Sequence, residues 1–223
     1  MMVDFELQNY KTIAFDCDGV LLNSNGIKTE AFFKIAKDHY GIKIAKHFRE
    51  YHIKNGGVSR YIKFQYLMTN ILKIPVDRKK LSILLHQFSA EVKTNLLGAE
   101  LAEGLDHLKL KTVNSKWIII SGGDQEELRE VFFERGLENM FELGIYGSPD
   151  KKEMIFERER EAMIYPCLFI GDSIYDFLAS RGLGLDFIFL YGWSELQDWK
   201  LFCDENGIDV TKNILSLLSL DNK

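Results

Sequence analysis

The sequence predicts an α/β fold, a parallel sheet with helices on both faces, carrying an inserted all-helical segment. Three observations predict it. Short apolar runs of strand length alternate with longer amphipathic runs, the pattern of repeated strand–helix–strand units. The short runs are apolar throughout instead of at alternate positions, which suits strands covered on both faces. One long stretch, from about 26 to about 97, breaks this rhythm with helical periodicity alone.

The first strand is Thr12–Phe15 (TIAF), ending at Asp16. In the helical stretch, Ala31, Phe32, Ile35, Ala36 and Tyr40 form one stripe. Tyr61, Phe64, Met68, Ile71 and Leu72 form a second, and Leu81, Leu84, Leu85, Phe88, Val92 and Leu96 a third. Asn55-Gly56-Gly57 and Pro75 punctuate them. Strands follow at 117–120, ending at Ser121, at 143–146, ending at Gly147, at 167–170, ending at Gly171 and Asp172, and at 187–191, ending at Gly192. A helix is predicted at 126–135, opened by a capping box of Asp124 and Glu127, and another at 151–163, rich in charge pairs. Ser194 and Gln197 read as a further capping box, opening a helix with Leu196, Trp199 and Phe202 on one face. Ile214–Leu220 reads as a C-terminal helix. The expected division is a core of residues 1–24 and 99–223, with a helical unit 25–98 hinged near 23–26 and 98–100.

Of the 223 residues, 46% are hydrophobic and 27% charged, which excludes a disordered chain, a collagen-like fibre and a disulfide scaffold. Basic residues number 28 against 33 acidic, a net charge of −5, and no basic block stands out, so nucleic acid is not an expected partner. No apolar run approaches the roughly 18 residues needed to span a bilayer, and the acidic, polar stretch MMVDFELQNY lacks a signal-peptide core. Cys17, Cys167 and Cys203 have neither metal-ligand nor framework spacing. They read as small buried hydrophobes, reduced thiols of a cytoplasmic protein. No heptads appear, and nothing in the sequence indicates an oligomeric state.

Asp16 and Asp18 follow the first strand directly, and Asp172 and Asp176 follow another. In open α/β sheets, ligands bind beyond the carboxyl ends of strands. Two carboxylates one residue apart repel each other, and a divalent cation is the usual counterweight. Four of them at two strand ends suggest an all-oxygen site for Mg²⁺.

Four segments carry a family resemblance. Phe15-Asp16-Cys17-Asp18-Gly19-Val20 resembles motif I of the haloacid dehalogenase superfamily, and Ile118-Ile119-Ile120-Ser121-Gly122-Gly123 resembles motif II. Gly147-Ser148-Pro149-Asp150-Lys151-Lys152 and Gly171-Asp172-Ser173-Ile174-Tyr175-Asp176 resemble motifs III and IV, in the family's order, over nearly the whole chain. The resemblance implies a Rossmann-like core with a helical type C1 cap inserted after motif I. It implies that Asp16 is the nucleophile, forming an aspartyl-phosphate, and that Asp18 is the general acid and then the base. The acid role calls for an environment that raises the Asp18 pKa. Asp16, Asp172 and the backbone carbonyl of Asp18 would hold Mg²⁺, with Asp176 in support. Ser121 and backbone N–H groups around Gly122 would bind phosphoryl oxygens. The pattern S-P-x-x-K favours Lys152 over Lys151 as the balancing cation. Asp at position 18 argues for oxygen leaving groups, hence phosphomonoesters or a phosphomutase. Cys17, between the two aspartates, is expected to point into the core.

Within the insert, Gly56 and Gly57 open a helix and offer free N–H groups to an anion, with Arg60 as a bidentate donor. This loop resembles that of β-phosphoglucomutases and of phosphoglycolate-phosphatase-like enzymes. Lys28, at the hinge, is a candidate to face the substrate. His52 and Lys63 flank the glycine loop and read as surface or packing residues. The expected function is Mg²⁺-dependent hydrolysis of a small phosphorylated metabolite, phosphoglycolate or a sugar phosphate. A β-phosphoglucomutase-like phosphomutase is the first alternative, although Lys28 stands near the place where those mutases carry a histidine. A non-catalytic module that binds such metabolites is the second.

Overall fold

The structure, a computed structural model, describes residues 6–220, Leu220 by its backbone alone. Residues 1–5 and 221–223 of the expected core, and with them half of the acidic N-terminal stretch, lie outside the described residues.

Six strands form one parallel sheet in the order β3-β2-β1-β4-β5-β6. They are β1 (Thr12–Phe15), β2 (Lys116–Asp124), β3 (Ile145–Ser148), β4 (Cys167–Gly171), β5 (Asp186–Leu190) and β6 (Asp209–Thr211). Successive side chains of a strand point to opposite faces, and here both faces are covered. Ile13, Phe15, Trp117, Ile119, Leu168 and Ile170 belong to one apolar cluster. Ala14, Ile118, Ile120, Cys167 and Phe169 belong to the other. That is why the strands read as unbroken apolar runs.

β1 lies between β2 and β4, with Phe15 level with Ile119 on one side and Ile170 on the other. The next residue of each strand, or the one after, is Asp16, Ser121 or Asp172. The register therefore carries three of the four motifs to one edge of the sheet. Lys152 reaches that edge from α7 (Lys152–Arg158), which follows β3.

The insert is all helical: α1 (Asn25–Tyr40), α2 (Ile42–Lys54), α3 (Arg60–Tyr66), which runs into a π-helical turn at Leu67–Ile71, and α4 (Arg78–Leu97). Its stripes converge on Phe32, whose ring centroid lies 4.2 Å from Phe88, 5.2 Å from Phe64 and 5.4 Å from Phe48. Four buried aromatics in mutual edge and tilted contact supply much of the packing energy of such a unit. The remaining helices are α5 (Leu105–Lys111), α6 (Gln125–Glu134), α8 (Ile174–Gly182), α9 (Trp199–Asn206) and α10 (Ile214–Leu220). No helix among the described residues is long and apolar enough to cross a membrane. Cys17, Cys167 and Cys203 are free and buried.

Several boundaries differ from the sequence reading. β2 runs past Ser121 to Asp124, because Gly122 and Gly123 let it bulge before pairing resumes at Asp124 and Ser148. β3 begins two residues late, since Gly144 turns the chain at φ +102° just before it. The 151–163 helix stops at Arg158. The short α5 and β6 had no periodicity long enough to read. The capping box at Ser194 does not form, and α9 opens only at Trp199. Ser194 Oγ instead donates to the Asp172 carbonyl at 2.6 Å.

Candidate active site

Asp16 emerges from β1 with its N–H donating to the Ile170 carbonyl at 2.9 Å, so the strand ladder fixes its backbone. Its side chain is buried, and Oδ1 lies 2.9 Å from Lys152 Nζ. That approach satisfies no hydrogen bond for Oδ1, leaving a buried carboxylate oxygen with unused acceptor capacity. Lys152 also touches Asp176 Oδ1, and it is buried itself. Burial pulls the Lys152 pKa down, but Asp16 and Asp176 outweigh burial and raise it above the usual lysine value. Lys151 is exposed.

Asp176 is placed by helix-capping physics. Ser173 Oγ accepts from the Asp176 N–H at 3.2 Å and donates to Asp176 Oδ2 at 2.6 Å, and that same oxygen accepts the Ser173 N–H at 3.1 Å. This is a complete capping box at the start of α8. Asp172, one residue before the cap, accepts from Asn25 Nδ2 at 2.7 Å. Asn25 also donates to the Trp193 carbonyl at 3.0 Å, tying the start of α1 to two loops of the sheet edge.

Asp16, Asp172 and Asp176 each place a carboxylate oxygen within 4.8 Å of the other two. Three buried carboxylates against one lysine leave net negative charge. Burial pushes Asp16 up to about 6, against the pull of Lys152 and with help from Asp176 and Asp18. Burial, then Asp16 and Asp176, pushes Asp172 well above the usual carboxylate range. An open buried oxygen, hard oxygen donors and surplus negative charge fit a hard divalent cation. Asp176 spends both oxygens on Lys152 and Ser173, so Asp16 and Asp172 are the better donors and Asp176 anchors the lysine.

Asp18 does not join this triad, which corrects the expectation of four converging carboxylates. Its Oδ1 accepts from Ser24 Oγ at 2.5 Å, and its Oδ2 pairs with Lys28. The expected rise of its pKa is also corrected. Burial would raise it, but the charge and hydrogen bond of Lys28, with Ser24 and Arg60, prevail and lower it. Lys28 is thus committed to Asp18. Arg60, at the first turn of α3, gives both terminal nitrogens to Glu127, at 2.6 and 3.0 Å, so its guanidinium fork is already occupied. The capping box predicted at the start of α6 is half made: Asp124 accepts from the Glu127 N–H at 3.2 Å, while the Glu127 side chain goes to Arg60.

A cleft runs between the insert and the sheet edge, lined by Asp18, Lys28, Gly57, Arg60, Gly122 and Asp172, and also by His52, Lys63 and Glu195. Asp16, Ser121 and Lys152 lie behind this lining and are almost fully buried. Ser121 Oγ accepts from the Gly123 N–H at 3.1 Å. The glycine loop is pressed onto the sheet edge: a Cβ at Gly122 would overlap the Gly57 carbonyl. Gly57 itself stands at φ +75°, a conformation that favours glycine. His52 and Lys63, read as surface or packing residues, are buried and also line the cleft. Sequence reasoning missed Ser24, Asn25, Ser173, Ser194 and Glu127 as site residues. Only Ser173 carried a legible signal, the Ser-x-x-Asp capping pattern.

A family model described as haloacid dehalogenase-like hydrolase matches residues 10–184. The chain belongs to the haloacid dehalogenase-like hydrolases. The match spans all four strand-end motifs of this hydrolase and stops just before β5. No curated protein matches it. Among solved structures it is similar to a hydrolase from Pseudomonas syringae, with TM-score 0.70 and 22% identity over 94% of this chain and 96% of that one. It is also similar to a "predicted phosphatase" from Clostridium acetobutylicum, with TM-score 0.69 and 16% identity over 94% and 96%. A third is a "predicted phosphoglycolate phosphatase" from Haemophilus somnus, with TM-score 0.62 and 17% identity over 82% and 86%. At these identities the likenesses speak for the fold of the hydrolase and not for its substrate.

Proposed function

We propose that this hydrolase is a Mg²⁺-dependent phosphomonoesterase, acting on a small phosphorylated metabolite through a phosphorylated Asp16. The observation that carries the reading is the triad of Asp16, Asp172 and Asp176 within 4.8 Å, with Lys152 between two of its members. Phosphoryl transfer is mainly positioning and charge neutralisation, and this cluster is built for both. Mg²⁺ held by Asp16 and Asp172 would supply neutralising charge to phosphoryl oxygens.

In this reading a carboxylate oxygen of Asp16 attacks phosphorus, and the bond from phosphorus to the alcohol oxygen breaks. Lys152 holds Asp16 in place and offsets its charge. Ser121 and the backbone around Gly122 take phosphoryl oxygens. Water then cleaves the acyl phosphate, giving phosphate and restoring Asp16. Asp18, kept ionised by Lys28, suits the step in which a base takes a proton from that water. The earlier step, protonation of the leaving alcohol, requires the Asp18–Lys28 pair to open. Residues 25–98 would act as a cap whose closure excludes competing water.

The test is release of phosphate from p-nitrophenyl phosphate and from a panel of phosphorylated metabolites, phosphoglycolate and sugar phosphates included. Turnover is expected with Mg²⁺, and its loss with EDTA or in Asp16→Asn. Isomerisation of β-glucose 1-phosphate without free phosphate would assign a mutase instead. Full turnover by Asp16→Asn would overturn the mechanism.

A further inference from the structure

The cleft holds buried cations with different company. Lys28 pairs with Asp18, and Arg60 with Glu127. Lys152, behind the cleft, pairs with Asp16 and Asp176. Lys63 is as buried as these, 2% exposed, yet among the described residues no carboxylate lies within 4.0 Å of its Nζ. Among the described residues its Nζ has one hydrogen-bond partner, the ring of His52, with Nδ1 at 2.7 Å, and it lies 5.5 Å from the centre of the Phe32 ring. The His52 ring faces Glu195 on its other side, with Nε2 3.9 Å from Oε2, and Thr29 Oγ1 holds that oxygen at 2.6 Å. Burial, with Lys63 and Lys28 nearby, pushes the His52 pKa well below its ordinary value. A neutral imidazole that accepts from Lys63 at Nδ1 carries its proton at Nε2, facing Glu195.

A buried ammonium whose contact partner is neutral is costly: burial lowers the Lys63 pKa to about 7, and an anion beside it would hold the proton on. Lys63 and His52 line the same cleft as Asp18, Gly122 and Asp172, so one ligand in the cleft can reach both a member of the acidic triad and this lysine. The cleft is small, about 50 Å³. That holds a few water-sized groups, at roughly 10–15 Å³ each.

We propose that Lys63, oriented by His52, binds a second anionic group of the substrate. This assigns the substrate class as small phosphomonoesters that carry a carboxylate or second phosphate a few atoms from the transferred one. The inference rests on the proposed phosphomonoesterase reading for the location of the first phosphate. Glu195 lies 3.9 Å from the far nitrogen of the His52 ring and more than 4.0 Å from Lys63 Nζ, so it tunes the imidazole and forms no ion pair with the ammonium. The neutral analogue of such a ligand lacks the one partner that Lys63 needs, and specificity follows from that unmet need.

Calorimetric binding of 2-phosphoglycolate and of ethyl phosphate, in the Asp16→Asn background with Mg²⁺, tests this without consuming ligand. The expected result is at least tenfold tighter binding of the carboxylate-bearing ester. Adding Lys63→Gln is expected to reduce that preference to twofold or less while leaving ethyl phosphate binding unchanged, and Lys63→Arg to retain most of it. Equal binding of both ligands before any change at position 63 would overturn the proposal, and so would an undiminished preference in Lys63→Gln. The first comparison needs no variant at position 63 to fold. Preference for the carboxylate-bearing ester together with no phosphate release by the unsubstituted enzyme would leave this inference standing and sink the phosphatase reading alone.

Discussion

Arg60 and Glu127 form a two-pronged ion pair, at 2.6 and 3.0 Å, that joins α3 of the insert to α6 beside the sheet. Both side chains are nearly inaccessible to water, and the guanidinium lies 4.6 Å from the centre of the Phe88 ring. A buried pair of this kind contributes little net stability, because desolvation offsets the attraction, but removing one member strands a charge at a cost of about 3–5 kcal/mol.

The asymmetry is measurable. Glu127→Gln is expected to lose roughly that amount in urea unfolding, whereas the double variant Arg60→Met with Glu127→Leu is expected to recover most of it. A double variant no more stable than Glu127→Gln would show that the pair is not what makes this contact costly to break.

Gly122 tests the seam between glycine loop and sheet edge. A methyl group there meets the Gly57 carbonyl, which is backbone and has no rotamer to escape into. Gly122→Ala is therefore expected to hold the insert away from the sheet while leaving the buried strands intact. Turnover should fall by about 100-fold, the cost of misplacing reacting groups by an ångström. The melting temperature should stay within a few degrees. Wild-type turnover in this variant would mean that the Gly57–Gly122 contact is not needed for catalysis.

Much of this arrangement was legible because it follows from local chemistry. The apolar runs at β1, β2 and β4 are buried on both faces and end at Asp16, Ser121 and Asp172, so strand and site were read from the same few letters. The resemblance to motif III, with its S-P-x-x-K pattern, favoured Lys152 over Lys151, and Lys152 is the one that meets Asp16. What was not legible depends on contacts between distant segments. Asn25 meets Asp172 across 147 positions, and Arg60 meets Glu127 across 67, with no periodicity to announce either. Ser194 was misread for the same reason: its pattern is that of a helix cap, but the Asp172 carbonyl takes its hydroxyl. Lys63 lies one position from Phe64 on a helix whose apolar stripe suggested packing, and only the folded chain reveals that it lines the cleft.

The acidic triad predicts opposite effects of Asp172→Asn with and without metal. In EDTA the substitution removes one of three mutually repelling buried carboxylates, so the variant is expected to melt higher than wild type. With Mg²⁺ at about 100 times its dissociation constant, wild type should gain roughly 2.7 kcal/mol from binding, and the variant far less. The two melting curves should therefore cross over as Mg²⁺ is added. Equal stabilisation of both proteins by Mg²⁺ would place the ion elsewhere.

Lys63 gives the protein a pH dependence whose sign is fixed. Burial, and after it Lys28, lower its pKa from 10.5 to about 7, with Asp18, Glu195 and Asp16 opposing the fall. His52, in direct contact, stays neutral across this range because its own pKa is depressed. Below pH 7 folded and unfolded states both carry the proton, and the full cost of burying the charge is present. Between about 7 and 10.5 only the unfolded state binds it, so the stability of the wild type rises with pH through that window. Lys63→Met has no such group. It is expected to be more stable than wild type at pH 6, and its advantage should shrink by up to about 1.4 kcal/mol per unit as pH rises toward 9. Taking the difference between the two proteins cancels every titration they share. Denaturant unfolding of both at pH 6, 7, 8 and 9 measures it, and an advantage that stays constant across the series would mean that Lys63 is not buried as a charged amine.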